Sequence, residues 1–425
     1  MRKIHLSYSS ITSFKACPTR FFAKYICGLR SSEETDCQRR GTNWHELLEV
    51  AGLQEESVCV LCANQMHPDE ECPVCAGTGY LKGDAMDAAI RVLDRAYNGT
   101  FPGKTDEEIQ TEYAKLLYSL SGYRWFWGMD EGQSAYDVIA TEVPFELSLV
   151  NPETGNPARD AVLIGKIDKI VKLRGGGVVA QVEHKSTSKP IGNDSFYWNH
   201  LQMDTQTTLY PYAMYRMQKE GKLEHLGIMP DDPLATTVFY DVYHAPQIKM
   251  KKLSKADTIK FIKTGEYCGE TFEVSGVELV KEGRKTTVAF TGADPSTATV
   301  DGHPVTITEN KDGTISFTET QDMYGSRLLA DITATPDKYF NRREIQRSED
   351  DLIRFENQLH SMYQCILQMR RTGGWYPCEH ECDSKFRCEY TKYCWHGETI
   401  EPGNVLEGFR NMFDKKEEKD DQGNA

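Results

Sequence analysis

Asp168, Glu183 and Lys185 are the residues of this chain best suited by type and spacing to do chemistry. They lie on two apolar-rich runs, Ile164-Gly165-Lys166-Ile167-Asp168 and Gln181-Val182-Glu183-His184-Lys185, joined across Arg174-Gly175-Gly176-Gly177. Two such runs around a short glycine-rich loop read as a β-hairpin. Pairing Leu173 with Val178 across the loop sets Asp168 opposite Glu183, their β-carbons about 5 Å apart. Glu183 and Lys185, two positions apart, leave the same face of their strand. Carboxylates held that close repel unless a cation lies between them, so the pattern predicts a divalent metal with a lysine beside it. Standing alone, the hairpin would read equally well as an ordinary charged surface ribbon.

Other elements follow the same order along the chain. His45 stands four residues after Gly41 at a predicted helix start, and Gln206 and Tyr210 share a helical face at i, i+4 spacing. A lone histidine there is usually structural, and a Gln/Tyr pair usually packs. The succession G-x3-H, G-x2-D, E-x-K, Q-x3-Y is far less expected by chance. It resembles the RecB-like branch of the PD-(D/E)XK nuclease superfamily, which includes bacterial recombination nucleases, CRISPR-associated adaptation nucleases and phage-encoded exonucleases. The resemblance runs from Ser7-Tyr8-Ser9-Ser10 through Cys17-Pro18 to Cys394, apart from two inserts.

The resemblance implies an α/β fold with a restriction-endonuclease-like core, a mixed central sheet flanked by helices. It implies that Asp168 and Glu183 hold Mg²⁺ or Mn²⁺ with the backbone carbonyl of His184, and that His45 completes or supports the metal shell. Lys185 would orient or activate the attacking water, while Gln206 and Tyr210 would position Lys185 and contact DNA. Hard oxygen ligands suit these ions, which neutralise a scissile phosphate and acidify bound water.

Thirteen cysteines in a chain expected to be cytoplasmic (host cytoplasm if phage-encoded) point to metal ligation rather than disulfides. Cys59-x2-Cys62 and Cys72-x2-Cys75 form two knuckles with the spacing of a structural zinc site. Near the other end stand Cys378, Cys382, Cys388 and Cys394. Relatives in this branch carry a [4Fe–4S] cluster on one N-terminal cysteine in a Cys-Pro context and three C-terminal ones. The resemblance thus implies Cys17, Cys382, Cys388 and Cys394 here, although the spacing departs from the usual Cys-x2-Cys-x5-Cys. Zinc on Cys378, Cys382, Cys388 and Cys394 is the competing reading.

Six segments are expected: 1–56, an N-terminal helical part of the core; 57–82, a zinc-ribbon insert; 83–268, the core with the hairpin; 269–320, a β-rich insert; 321–400, a C-terminal helix and cysteine group closing the core; and 401–425, a disordered tail. Helices are predicted over 7–30 (interrupted at Cys17-Pro18), from near Thr42, over 84–97, 106–127, 198–219 (kinked or divided at Pro211) and 348–371. Strands are predicted over 136–150, 160–185 and 234–249.

The net charge of −15 argues against a surface that coats polyanions, but not against a nucleic-acid cleft. No apolar run is long enough for a membrane span and no signal peptide is expected. A zinc deaminase is disfavoured because His45-Glu46 lacks the His-x-Glu spacing. A non-catalytic DNA-binding or assembly module on the same fold is the alternative, disfavoured because no carboxylate or lysine is lost. Without a phosphate-binding loop the chain would not unwind DNA itself. The expected substrate is single-stranded DNA or DNA with free ends, with a helicase or recombination protein as a partner. Phe196, Tyr197 and Trp198 are candidates for base stacking, though core is the commoner role, and Arg342, Arg343, Arg347, Arg370 and Arg371 for backbone contact.

Overall fold

The β-branched and aliphatic run through Ala161–Val171 builds the longest strand of the molecule, and the rest of the sheet assembles on its two edges. The computed structural model describes residues 3–32, 35–62, 68–129, 132–282, 285–292, 298–384, 387–397 and 400–413. The predicted disordered tail, 401–425, is corrected in its first part: within 401–413 Phe409–Asn411 forms a paired strand and Leu406 is buried, while the rest lies outside the described residues. A six-stranded mixed sheet comprises β1 (Ile4–Leu6), β2 (Tyr136–Val150), β3 (Pro157–Leu173), β4 (Val179–Thr187), β5 (Thr237–His244) and β6 (Phe340–Gln346). Its order is β1-β3-β4-β5-β6, with β2 antiparallel along the other edge of β3. The pairs β1–β3 and β4–β5 are parallel; β3–β4 and β5–β6 are antiparallel.

Helices cover both faces. On one side α1 (Tyr8–Ala16), α5 (Gln206–Lys219) and α7 (Glu349–Thr372) share a core with β1, β2 and β3. On the other, α2 (Asp36–Val50), α3 (Ala85–Tyr97), α4 (Asp106–Phe126) and α6 (Gln321–Ala334) pack with Tyr243 and Phe340. Among the described residues no helix is long and apolar enough to cross a membrane.

Three predicted boundaries shift for physical reasons. Helix α2 begins at Asp36, not near Thr42, because Thr35 and Gln38 form a reciprocal capping box: Gln38 N donates to Thr35 Oγ1 (3.3 Å) and Thr35 N to Gln38 Oε1 (3.0 Å). Its polar first turn hides it from an apolar-periodicity reading. The segment 198–219 divides at Met203–Thr205 rather than at Pro211. There Asp204 Oδ1 accepts from the backbone N–H of Gln206 (2.7 Å) and Thr207 (3.0 Å), starting a new helix that runs through the proline. The predicted helix over 7–30 ends in a strand, Leu29–Ser31, that pairs antiparallel with Phe409–Asn411.

That pairing belongs to a clasp between distant parts of the chain. Phe22 stacks on Trp375 at 5.0 Å, Thr19 N donates to the Tyr376 carbonyl (3.3 Å), and Tyr390 Oη to the Leu29 carbonyl (2.6 Å). Between 266 and 317 short strands alternate with turns around a separate small core that includes Phe261, Phe272, Val300 and Phe317.

Candidate active site

The unusual length of β3 creates the site. One edge of β3 pairs with β1 over Ala161–Leu163 and with β4 over Lys169–Lys172. Between these two partners the edge forks, and Asp168 stands at the fork. The β3–β4 ladder runs from Lys172↔Val179 to Lys169↔Val182, so one further step sets Asp168 beside Glu183, in the register expected from the turn. There the side chain takes over from the ladder: Asp168 Oδ2 accepts the backbone N–H of His184 at 2.9 Å.

Glu183 is buried, 3 % exposed. Its Oε1 accepts from Lys185 Nζ (2.7 Å) and from Gln206 Nε2 on α5. Its Oε2 is buried with no protein partner. An isolated buried carboxylate oxygen costs free energy unless something else satisfies it. Burial pushes the Glu183 carboxyl up to about 8, against the pull of Lys185. Burial alone would lower Lys185, but the Glu183 and Asp168 carboxylates outweigh it and hold the ammonium above its usual range. The group therefore keeps its ammonium proton at neutral pH.

His45 approaches from α2, with Nδ1 3.6 Å from Asp168 Oδ2 and its ring edge-on to His184 at 6.3 Å. Burial pulls its pKa down to about 4, so the imidazole is neutral with a lone pair free for a ligand. Tyr210 lies one turn beyond Gln206 and edge-on to Phe145 at 6.2 Å; burial raises its pKa. Gln206 reaches Glu183, not Lys185, so it fixes the carboxylate that in turn holds the lysine.

Behind the hairpin is a second set of groups that sequence reasoning missed. His184 points to the opposite face, where its Nδ1 stands 3.5 Å from Asp241 Oδ2. Asp241 also accepts from Tyr123 Oη (2.5 Å) and Arg342 Nη2 (2.7 Å). Arg342 lies over the Trp127 ring at 3.9 Å. Its expected role in contacting a nucleic-acid backbone is therefore corrected: it is a buried counter-ion. Lys169 Nζ donates to the Leu48 carbonyl (3.3 Å), and burial lowers its pKa to about 8. The available signal was Asp241 itself, a lone carboxylate inside the apolar run Val238-Phe239-Tyr240-Asp241-Val242-Tyr243.

Of the two cysteine sets expected to hold metal, the first forms a tight group among the described residues. Cys59, Cys62, Cys72 and Cys75 are all buried, with their sulfurs within 4.8 Å of one another. The pairs Cys59–Cys72 and Cys62–Cys75 are each 3.7 Å apart. A tetrahedral ion with bonds of about 2.3 Å requires an edge of about 3.8 Å. Burial opposes ionisation of Cys75, but hydrogen bonds from the Gly79 and Gly77 backbone and from Cys72 bring its thiol down to about 7. In the second set, burial pushes Cys394 up to about 11, and Cys388, Cys17 and Cys382 reinforce the shift by proximity. Cys378 contributes its backbone N–H to Cys17 Sγ (3.4 Å).

A model of the PD-(D/E)XK nuclease superfamily matches residues 5–395. The chain belongs to the PD-(D/E)XK nuclease superfamily. No curated protein matches it closely enough to count as a relative. Asp168 and Glu183-His184-Lys185 have the residue types that the superfamily's name spells, with Ile167 where the name has proline. Membership implies phosphodiester hydrolysis.

Proposed function

We propose that this protein is a Mg²⁺- or Mn²⁺-dependent deoxyribonuclease that cuts DNA from strand ends, in recombination, repair or phage DNA processing. The observation that carries the reading is the unpartnered Glu183 Oε2, buried at the fork of the sheet beside Asp168. Asp168, Glu183, neutral His45 and the His184 carbonyl supply the oxygen and nitrogen donors for the ion. A bound divalent ion would neutralise the scissile phosphate and acidify a water.

Lys185 holds its proton and so donates to the attacking water or phosphate rather than removing a proton. Gln206 keeps Glu183 turned towards Lys185, and Tyr210, one turn along the same helix, is placed to contact the DNA strand. Action from ends is the mode of the phage-encoded exonucleases in the branch that the sequence resembles. Digestion of single- and double-stranded DNA, labelled at either end, with Mg²⁺, Mn²⁺ or EDTA tests metal dependence, strand preference and direction together. Cleavage that persists in EDTA would overturn the proposal.

The cysteine groups fit two structural metals. The tight, buried Cys59–Cys75 set suits zinc, which would fold an insert with little core of its own. We assign [4Fe–4S] to Cys17, Cys382, Cys388 and Cys394 on the resemblance, and Cys17 lies near enough to the C-terminal cysteines to influence the Cys394 thiol. Brown colour and iron after anaerobic purification are expected; a colourless protein with two zinc ions would assign zinc to both.

A further inference from the structure

The segment between Lys185 on β4 and Gln206 on α5 does more than connect them. Of the three aromatic residues singled out there, Tyr197 and Trp198 pack against the buried Ile191, Leu201, Tyr240 and Val242, while Phe196 is 89 % exposed. Phe196 and Met203, at 91 %, are the most exposed large apolar side chains among the described residues. The backbone that presents Phe196 is firmly held. Trp198 Nε1 donates to the carbonyls of Ile191 (3.1 Å) and Gly192 (3.0 Å). Asn341 Nδ2 donates to the Ile191 carbonyl (2.9 Å), and Arg343 Nη2 to the Asn193 carbonyl (2.7 Å).

Phe196 and Tyr197 line a cavity of about 550 Å³ with Lys189, Asn193 and Asp194. Tyr197 also packs against the cluster that contains Tyr240, which stands in register with Glu183 across β4 and β5. One wall of the cavity is therefore a single side chain away from the hairpin.

We propose that this cavity holds a nucleobase of the strand being cut, with Phe196 stacked on its face and Asn193 at its edge. This rests on the nuclease reading above and adds a substrate subsite to it. The opposed charges of Lys189 and Asp194 suit a base better than a phosphate. Stacking also suits a chain of net charge −15, whose overall field repels a polyanion, because stacking needs no net positive charge.

The test compares full-length wild type, Phe196→Ala and Phe196→Trp on single-stranded DNA carrying one abasic nucleotide at each position in turn. Phe196→Ala is expected to raise KM about tenfold, more than it lowers kcat, and Phe196→Trp to restore it. At one position the abasic nucleotide should cost wild type a similar factor and cost Phe196→Ala nothing further. An unchanged KM in Phe196→Ala, or an abasic penalty equal in both proteins, overturns the subsite. Fluorescence anisotropy with the same DNA in metal-free buffer reads the subsite independently of cleavage. A wild type that binds with the predicted Phe196 dependence yet never cuts sinks the nuclease reading alone.

Discussion

Successive side chains of β4 point to opposite faces, and the two faces differ in chemistry. Glu183 and Lys185 meet Gln206 on one face and leave a buried carboxylate oxygen without a partner. His184, between them, meets Asp241, whose charge is matched by Arg342 and by a hydrogen bond from Tyr123. Burial opposes the Asp241 charge, yet Arg342 and His184 hold its pKa well below the carboxylate range. Asp241 Oδ1 and both His184 ring nitrogens are also buried without a hydrogen-bond partner, so the faces differ in charge balance rather than in hydrogen-bond satisfaction. On one face Asp168 and Glu183 share a single ammonium, whereas on the other Asp241 meets the Arg342 guanidinium directly. A strand only 4.7–4.9 Å from its neighbours allows both because alternation separates the two environments.

The sharpest way to break this contrast is to remove a group from each face. Lys185→Ala should lower DNA hydrolysis about 10²–10⁴-fold while costing less stability than Asp241→Ala, because Glu183, its pKa already pushed up to about 8 by burial, can take up a proton once the ammonium is gone. Steady-state rates and a melting curve of the same sample check both halves, and a variant that cuts normally would remove the catalytic assignment. Asp241→Ala should do the reverse in kind. It strands buried Arg342 and should cost about 3–5 kcal/mol of stability, read from urea unfolding. An Asp241→Ala protein as stable as wild type would show that the second face does not anchor β4.

Smaller changes sharpen the comparison. Gln206→Ala removes one of two donors to Glu183 Oε1 and leaves Lys185 in place. A hydrogen bond to a charged group is worth about 1.5–3 kcal/mol, so a fall in kcat/KM of about 10–100-fold is expected, without loss of the fold. The mildest effect concerns Lys169. Its pKa is lowered by burial from 10.5 to about 8. Between those values the unfolded chain holds a proton that the native chain has released, so this group's contribution to stability rises with pH across that window. The slope is at most about 1.4 kcal/mol per pH unit. Lys169→Met should flatten it, as measured by urea unfolding at pH 8 and pH 10.

What could be read in the sequence was what local spacing determines. The turn at Arg174–Gly177 sets the register that brings Asp168 beside Glu183, because a hairpin's pairing follows from its loop. The four cysteines from 59 to 75 gather because both knuckles are local. The fork in β3 was not legible: β1 contributes only Ile4–Leu6, too short a run to announce a strand. Nor was β6, whose Phe-Asn-Arg-Arg-Glu-Ile-Gln reads as a polar surface segment until Asp241 is seen opposite Arg342. Trp198 and Phe196 have similar neighbours in sequence and opposite fates. Packing on the Ile191 segment, which Asn341 holds in place, decides which ring is drawn in and half-buried.

The clasp between Leu29–Ser31 and Phe409–Asn411 has a consequence for synthesis. Residues 17–31 leave the ribosome before their partners at Trp375, Tyr390 and Phe409, which emerge about 350–380 positions later. The order of synthesis therefore runs against the order of assembly. Residues 17–31 stay without these partners until residues 375–411 have been made, so the clasp closes only after every strand of the central sheet is available.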